Sequence, residues 1–257
     1  MVWLKCPLLN MSDEKEIQNI PVETEVEDKG SEQITDDLTS EQSTPIESKE
    51  DMNYSQDSNN LEKMILSTGI RVGTPVKTKY MTPFIVRANP EGLYILDISK
   101  TLSRIDVAAK FIGRSTISRV AVTSAREYGK TPVEKFCEFT GATGIFGRFM
   151  PGTFTNPSLP RYMEPEIVIV TDPQADQQAV IEATRAGVPV IAISNSDNVT
   201  SKVDLVIPAN NRGRKALATV YWLLAREVLK KQGTIKSDSD MKVSIEDFET
   251  KLVEELP

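Results

Sequence analysis

Nine basic side chains stand where an anion could be held. Arg71, Lys77 and Lys79 fall in a loop punctuated by Gly69, Gly73 and Pro75. Arg126 follows a short strand, Arg148 and Arg161 bracket a Pro-rich segment, and Arg212, Arg214 and Lys215 lie just before or within the first turn of a long helix. A cation at a helix N-terminus opposes the helix dipole at about 0.3–1 kcal/mol, so Arg214 and Lys215 are locally unfavourable. A bound phosphate reverses that sign, because backbone N–H groups, dipole and guanidinium then point at one anion. The plain alternative is a pair of solvated surface residues with little net penalty.

Other chemistry is narrowed by what is missing. The chain has no histidine, which removes Ser/His/Asp and Cys/His triads, His-based zinc sites and the commonest general base. Cys6 and Cys137 lie far apart, so a disulfide scaffold is not expected and a reducing compartment is. Gly141, Gly144 and Gly147 are spaced GxxGxxG ahead of a Pro-rich loop, where a dinucleotide fingerprint needs a helix, and no GxxxxGK[ST] occurs. No cofactor or metal site is expected.

The positioning elements alternate. Strands are predicted at 84–87, 93–97, 120–123, 144–147, 167–170, 190–193 and 205–207. Helices are predicted near 61–65, 100–114, 132–139, 176–186 and 215–231, the last with Leu217, Val220, Tyr221, Leu224 and Val228 along one stripe. Continuous β-branched strands between amphipathic helices imply a three-layer α/β/α fold, a mostly parallel, doubly wound sheet covered on both faces. Ligands in such folds sit outside the carboxyl ends of the strands. Those loops hold Asp97 with Ser99 and Lys100, Ser124 with Arg126, Asp172 with Pro173, and Ser194 to Asp197. They could suit a phosphosugar or a nucleotide. The plainer reading makes Asp172 an N-cap with Pro173 at the first helical position, and Ser194 to Asp197 a turn. The segment 147–162, with three prolines, is read equally as a shape presented to a partner and as a loop packed back on its own domain.

Charge divides the chain into three. The net charge is −7 overall, but it is −11 over residues 1–60, +8 over 61–232 and −4 over 233–257. We read 1–60 as a disordered acidic extension, since its composition cannot bury enough apolar surface to offset chain entropy. Residues 61–232 form one α/β domain and 233–257 an acidic tail. Met1 and Met11 are alternative starts. No run of 18 apolar residues exists, so a membrane-spanning helix and a membrane partner are not expected. A basic body points instead to a polyanion.

Longer stretches carry a resemblance. They are GTPVKTK at 73–79, GLYILD at 92–97, SAREYG at 124–129, GRFMPGTFTNP at 147–157, VTDP at 170–173, VDLVIP at 203–208, NNRGRK at 210–215 and YWLLARE at 221–227. From Leu61 to about Lys231 the chain resembles the archaeal and eukaryotic branch of small-ribosomal-subunit protein two, called ribosomal protein SA or laminin-receptor-like in animals. It lacks the helical hairpin insertion of bacterial members and the long acidic, Trp-bearing tail of animal members, which favours the archaeal type. The acidic extension is not part of the family pattern.

The resemblance implies a flavodoxin-like sheet, no catalysis, no small-molecule substrate, and a cytoplasmic place on the ribosome. The site would be the solvent side of the small subunit, near the head and body junction and the mRNA exit. Partners would be small-subunit rRNA and neighbouring small-subunit ribosomal proteins. The nine cations above would form the rRNA face, neutralising phosphates and fixing register. The rival reading is a phosphosugar-binding or isomerase-like domain, suggested by residues 171–198; the absence of histidine and of a paired carboxylate set weighs against it.

Overall fold

Alternation of β-branched residues along the strands decides which way the sheet faces. The computed structural model describes residues 64–235 and 243–251, all within one compact unit. The acidic extension expected at 1–60 lies outside the described residues. A small ribbon comes first, β1 (Ile85–Ala88) paired antiparallel with β2 (Tyr94–Leu96). The sequence reading has both as strands; the structure sets them apart from the main sheet.

The main sheet holds β3 (Val120–Ser124), β4 (Thr143–Phe146), β5 (Ile167–Val170), β6 (Val190–Ser194) and β7 (Leu205–Pro208), all parallel, in the order β4-β3-β5-β6-β7. Counted along the chain this is 2-1-3-4-5, the flavodoxin-like order, whose switch point falls between β3 and β5. On one face Val120, Val122, Ile167, Ile169, Ile191, Ile193 and Ile207 pack against α1 (Ile98–Gly113), α2 (Glu127–Thr140) and α4 (Arg214–Lys231). On the other, Ala121, Val168, Val170, Val190 and Ala192 pack against α3 (Gln177–Ala186) and against Phe149 and Phe154 of the Pro-rich segment. That segment therefore stands in for a helix on its side of the sheet, settling one part of the open reading in favour of packing back.

Helix starts follow local chemistry. The Asp97 side chain accepts from the Ser99 backbone N–H at 3.0 Å and caps α1. α2 begins at Glu127, five residues before the predicted start at Pro132. Proline within a helix leaves the carbonyl four residues back without its donor. Here that carbonyl, on Tyr128, accepts from the Thr250 hydroxyl at 3.1 Å. α3 is capped in position by Asp176, not by Asp172 as the sequence suggested, and ends at Gly187 in the left-handed region.

α4 is buried nearly all round, between α1, α2 and the segment 243–251. This segment belongs to the stretch read as an acidic tail, yet it lies docked on the domain. Ser244 and Asp247 form a reciprocal capping box opening the 3₁₀ turn Ile245–Phe248. Phe248 is buried against Phe139, ring centroids 5.8 Å apart, and Trp222 Nε1 donates to the Val243 carbonyl at 2.9 Å. Trp222→Phe removes that donor along with part of a buried ring that Arg226 faces at 5.1 Å, so urea denaturation should show a loss of at least about 1 kcal/mol. An unchanged midpoint would mean the bond does not fasten the segment.

Candidate nucleic-acid interface

Every one of the predicted cations lies toward the carboxyl rim of the sheet or on the loop attached to it. The loop carrying Arg71, Lys77 and Lys79 is fastened to the turn after β6. Thr74 N–H donates to Ser196 Oγ at 2.9 Å and Thr78 N–H to the Ser196 carbonyl at 2.9 Å. Gly73 permits the approach, since a Cβ there would sit 2.6 Å from the Tyr94 carbonyl oxygen. The Lys77 ammonium lies 5.2 Å from the Tyr94 ring centroid. Arg71 and Lys79 are exposed.

Arg148 and Arg161 share one groove beside β4. Their segment is fixed by the buried Glu182 carboxylate, which accepts from the Gly152 N–H at 2.7 Å and the Phe154 N–H at 3.3 Å. Arg214 and Lys215 line a second groove with Met64, Glu246, Glu249 and Lys251. Helix α4 begins there after Gly213, with no side-chain cap, so its first N–H groups keep their positive end open. The acidic residues across that groove come from the segment 243–251.

Two of the nine are already engaged. Arg212 pairs with Asp197. Arg126 sits at the switch point, its Nε donating to Asp172 Oδ2 at 2.7 Å and its Nη2 ion-paired with the same oxygen at 2.5 Å. Asp172 is fully buried. Its Oδ1 also accepts from Asn198 Nδ2 at 2.8 Å and from the Gln174 N–H at 2.9 Å. Asn198 in turn accepts from the Asn195 N–H and from Asn211 Nδ2, at 2.7 and 3.1 Å. Polar side chains at the strand ends thus pair with one another, while a cavity of about 420 Å³ lined by Ala125, Arg148 and Asp176 stays open beside them. Ser194 to Asp197 do form turn chemistry, as the plainer reading expected, with Asn195 Oδ1 accepting from the Ser196 N–H at 2.7 Å.

Sequence reasoning missed this network as a unit. Arg126 and Asp172 are 46 residues apart, and no local spacing announces their contact. Beside them Asp176 is 2 % exposed with no hydrogen-bond partner for either carboxylate oxygen. Burial pushes its pKa up to about 6. The Ala125 backbone N–H opposes this without reaching good hydrogen-bond geometry, and the Asp172 charge adds to it. The Tyr221 hydroxyl below meets Thr171 Oγ1 at 2.7 Å, and burial raises its pKa as well. The Cys137 thiol is pushed up to about 12 by burial, which keeps it protonated and inert. Among the described residues no cluster of three or more Cys, Asp or Glu side chains could hold a metal ion, and no helix is long and apolar enough to cross a membrane.

The family model for ribosomal protein S2 matches residues 158–230. The small ribosomal subunit protein uS2 of Nitrosopumilus maritimus is 58 % identical over 204 residues, covering 79 % of this chain and 99 % of the relative. The chain belongs to the ribosomal protein S2 family. The protein of the same name from Cenarchaeum symbiosum is 52 % identical, covering 79 % of this chain and 97 % of its own. That from Thermofilum pendens is 51 % identical, covering 74 % and 89 %. These relatives make the chain an S2 protein of archaeal type. The S2 family is a structural component of the ribosome and not an enzyme.

Proposed function

We propose that this S2 protein is a structural constituent of the small ribosomal subunit that binds small-subunit rRNA through the carboxyl rim of its sheet. The observation that carries the reading is the set of cations left without an acidic partner among the described residues. Arg71, Lys77, Lys79, Arg148, Arg161, Arg214 and Lys215 all reach solvent without an ion pair. Arg126 and Arg212 use part of a five-donor fork on Asp172 and Asp197, and their remaining N–H groups complete the face. Phosphate contacts of this kind supply affinity and fix orientation, with little base readout.

Neighbouring small-subunit proteins are the second class of partner. Around the β1–β2 ribbon Val76 is 62 % exposed, Tyr80 58 % and Val86 63 %, an apolar surface that supports a protein contact beside the cationic loop. The same reading sets the protein in the cytoplasm, on the solvent side of the subunit near the mRNA exit.

Sedimentation of native extract tests the proposal. Wild-type protein is expected to travel with small subunits, and Arg212→Glu, Arg214→Glu and Lys215→Glu together are expected to move it to the free fractions. Purified variant must keep its melting temperature within a few degrees for the result to count. Wild-type protein found only in free fractions, under conditions that preserve subunits, overturns the reading.

A further inference from the structure

Asp176 occupies the N-cap position of α3, where an aspartate ordinarily accepts from the first N–H groups of its helix, yet its side chain makes no such bond. It is 2 % exposed, and neither carboxylate oxygen has a hydrogen-bond partner. Buried polar atoms are seldom left in that state, so each instance asks for a reason. Here the reason lies in what stands beside it.

The cavity of about 420 Å³ at the strand ends is lined both by the buried Asp176 and by the exposed Arg148. The Arg148 guanidinium makes no hydrogen bond or ion pair among the described residues. Ala125 and Ala175 contribute to the lining with no side chain beyond Cβ to fill the space, and Phe149 and Pro151 form the wall from the Pro-rich segment. That wall is held in place. Glu182 accepts from the Gly152 and Phe154 N–H groups, and the Phe149 and Phe154 rings pack with centroids 5.0 Å apart. A wall already ordered adds little entropy cost on binding. The volume is within the range of pockets that enclose small organic groups.

We propose that this cavity receives one unpaired guanosine of a folded RNA, its Watson–Crick edge on Asp176 and a flanking phosphate on Arg148. The proposal rests on the rRNA-binding reading above and narrows it from phosphate contact to recognition of one base. Both free oxygens of the carboxylate are acceptors, so its best partner carries two adjacent N–H donors. Guanine N1–H and N2–H supply them. Adenine and cytosine set an acceptor nitrogen beside their amino group, and uracil flanks its single N–H with two carbonyls. A guanine paired with cytosine has this edge engaged, so the base must come from a loop or a bulge. An arginine of a neighbouring protein carries the same two donors, but it brings a second positive charge beside Arg148 and no anion for Arg148 to hold.

Three hairpins of one sequence test this on the full chain, with guanosine, inosine or adenosine at a single unpaired loop position, in buffer well above the Asp176 pKa of about 6. Wild type is expected to bind the guanosine hairpin roughly tenfold more tightly than the inosine hairpin, which lacks the 2-amino donor, and than the adenosine hairpin. Asp176→Asn offers one donor and one acceptor, the complement of adenine, so its preference should pass from guanosine to adenosine. A merely structural role for Asp176 would leave the preference unmoved. Arg148→Gln should weaken all three hairpins alike and lower the salt slope by about one. Equal binding of the guanosine and inosine hairpins by wild type, a guanosine preference that survives in Asp176→Asn, or displacement of the guanosine hairpin by arginine amide more readily than by guanosine monophosphate each overturns the proposal. Sedimentation separates the two levels. Wild type on subunits with no guanosine preference removes the pocket alone, and wild type absent from subunits removes the reading beneath it.

Discussion

Arg126→Ala is expected to destabilise the domain by roughly 3 kcal/mol, the cost of leaving a buried charge without its counter-ion. Asp172 is fully buried, and its Oδ2 has only the Arg126 guanidinium as a hydrogen-bonding partner, whereas Oδ1 keeps Asn198 and the Gln174 N–H. The Arg126 side chain is 32 % exposed, so water reaches the vacated position and holds the loss toward the lower end of the range for broken buried pairs. Urea denaturation of the single variant, of Asp172→Asn and of the double variant measures the coupling. Asp172→Asn should recover much of the loss in the Arg126→Ala background, because it removes the stranded charge. A midpoint unchanged by Arg126→Ala would show that the pair does not brace the switch point.

Asp176→Asn is expected to stabilise the protein at pH 7.5 and do little at pH 4. The carboxyl stands at about 6 in the folded chain against 3.8 for the ordinary group. Between those values the folded state holds a proton that the unfolded state has released, so stability falls as pH rises through that window. About two units correspond to about 3 kcal/mol, fully lost above pH 6 and absent as a penalty below pH 4. Asparagine carries no charge to desolvate, so its gain should follow the same curve. Thermal melts from pH 4 to pH 8 check the sign; a gain independent of pH would mean that packing, not ionisation, sets the effect.

The central sheet could be read directly from the chain because IVIV at 167–170 and VIAI at 190–193 are unbroken β-branched runs of strand length, which have one good home, a sheet buried on both faces. The α4 stripe was equally plain, and each of its predicted residues is buried. The errors sit where local rules compete. Pro132 looks like a helix opener, and becomes an interior residue because Thr250, more than a hundred positions away, satisfies the carbonyl that proline leaves bare. Asp172-Pro173 looks like a cap, and is instead drawn into the core by Arg126 and Asn198. The docking of 243–251 did leave a local sign, Ser244 three residues before Asp247 with Ile245 and Phe248 alongside, which the acidity of the surrounding stretch obscured. All nine candidate cations could be located on loops or helix starts, but which would be neutralised by Asp172 and Asp197 depended on tertiary neighbours.

The groove holding Arg214 and Lys215 has a consequence for timing. Its walls come from Met64 at one side and from Glu246, Glu249 and Lys251 at the other, so it spans nearly the whole described chain. At about 5–20 residues per second, roughly 10–40 s of synthesis separate the two walls. The start of α4 itself precedes Glu246 and Glu249 by about 30 residues, so for roughly 2–7 s of that interval it has been made without its acidic companions. A growing chain therefore presents a more strongly cationic helix start than the finished one, and the last residues to emerge lower its attraction for stray polyanions once the fold has closed.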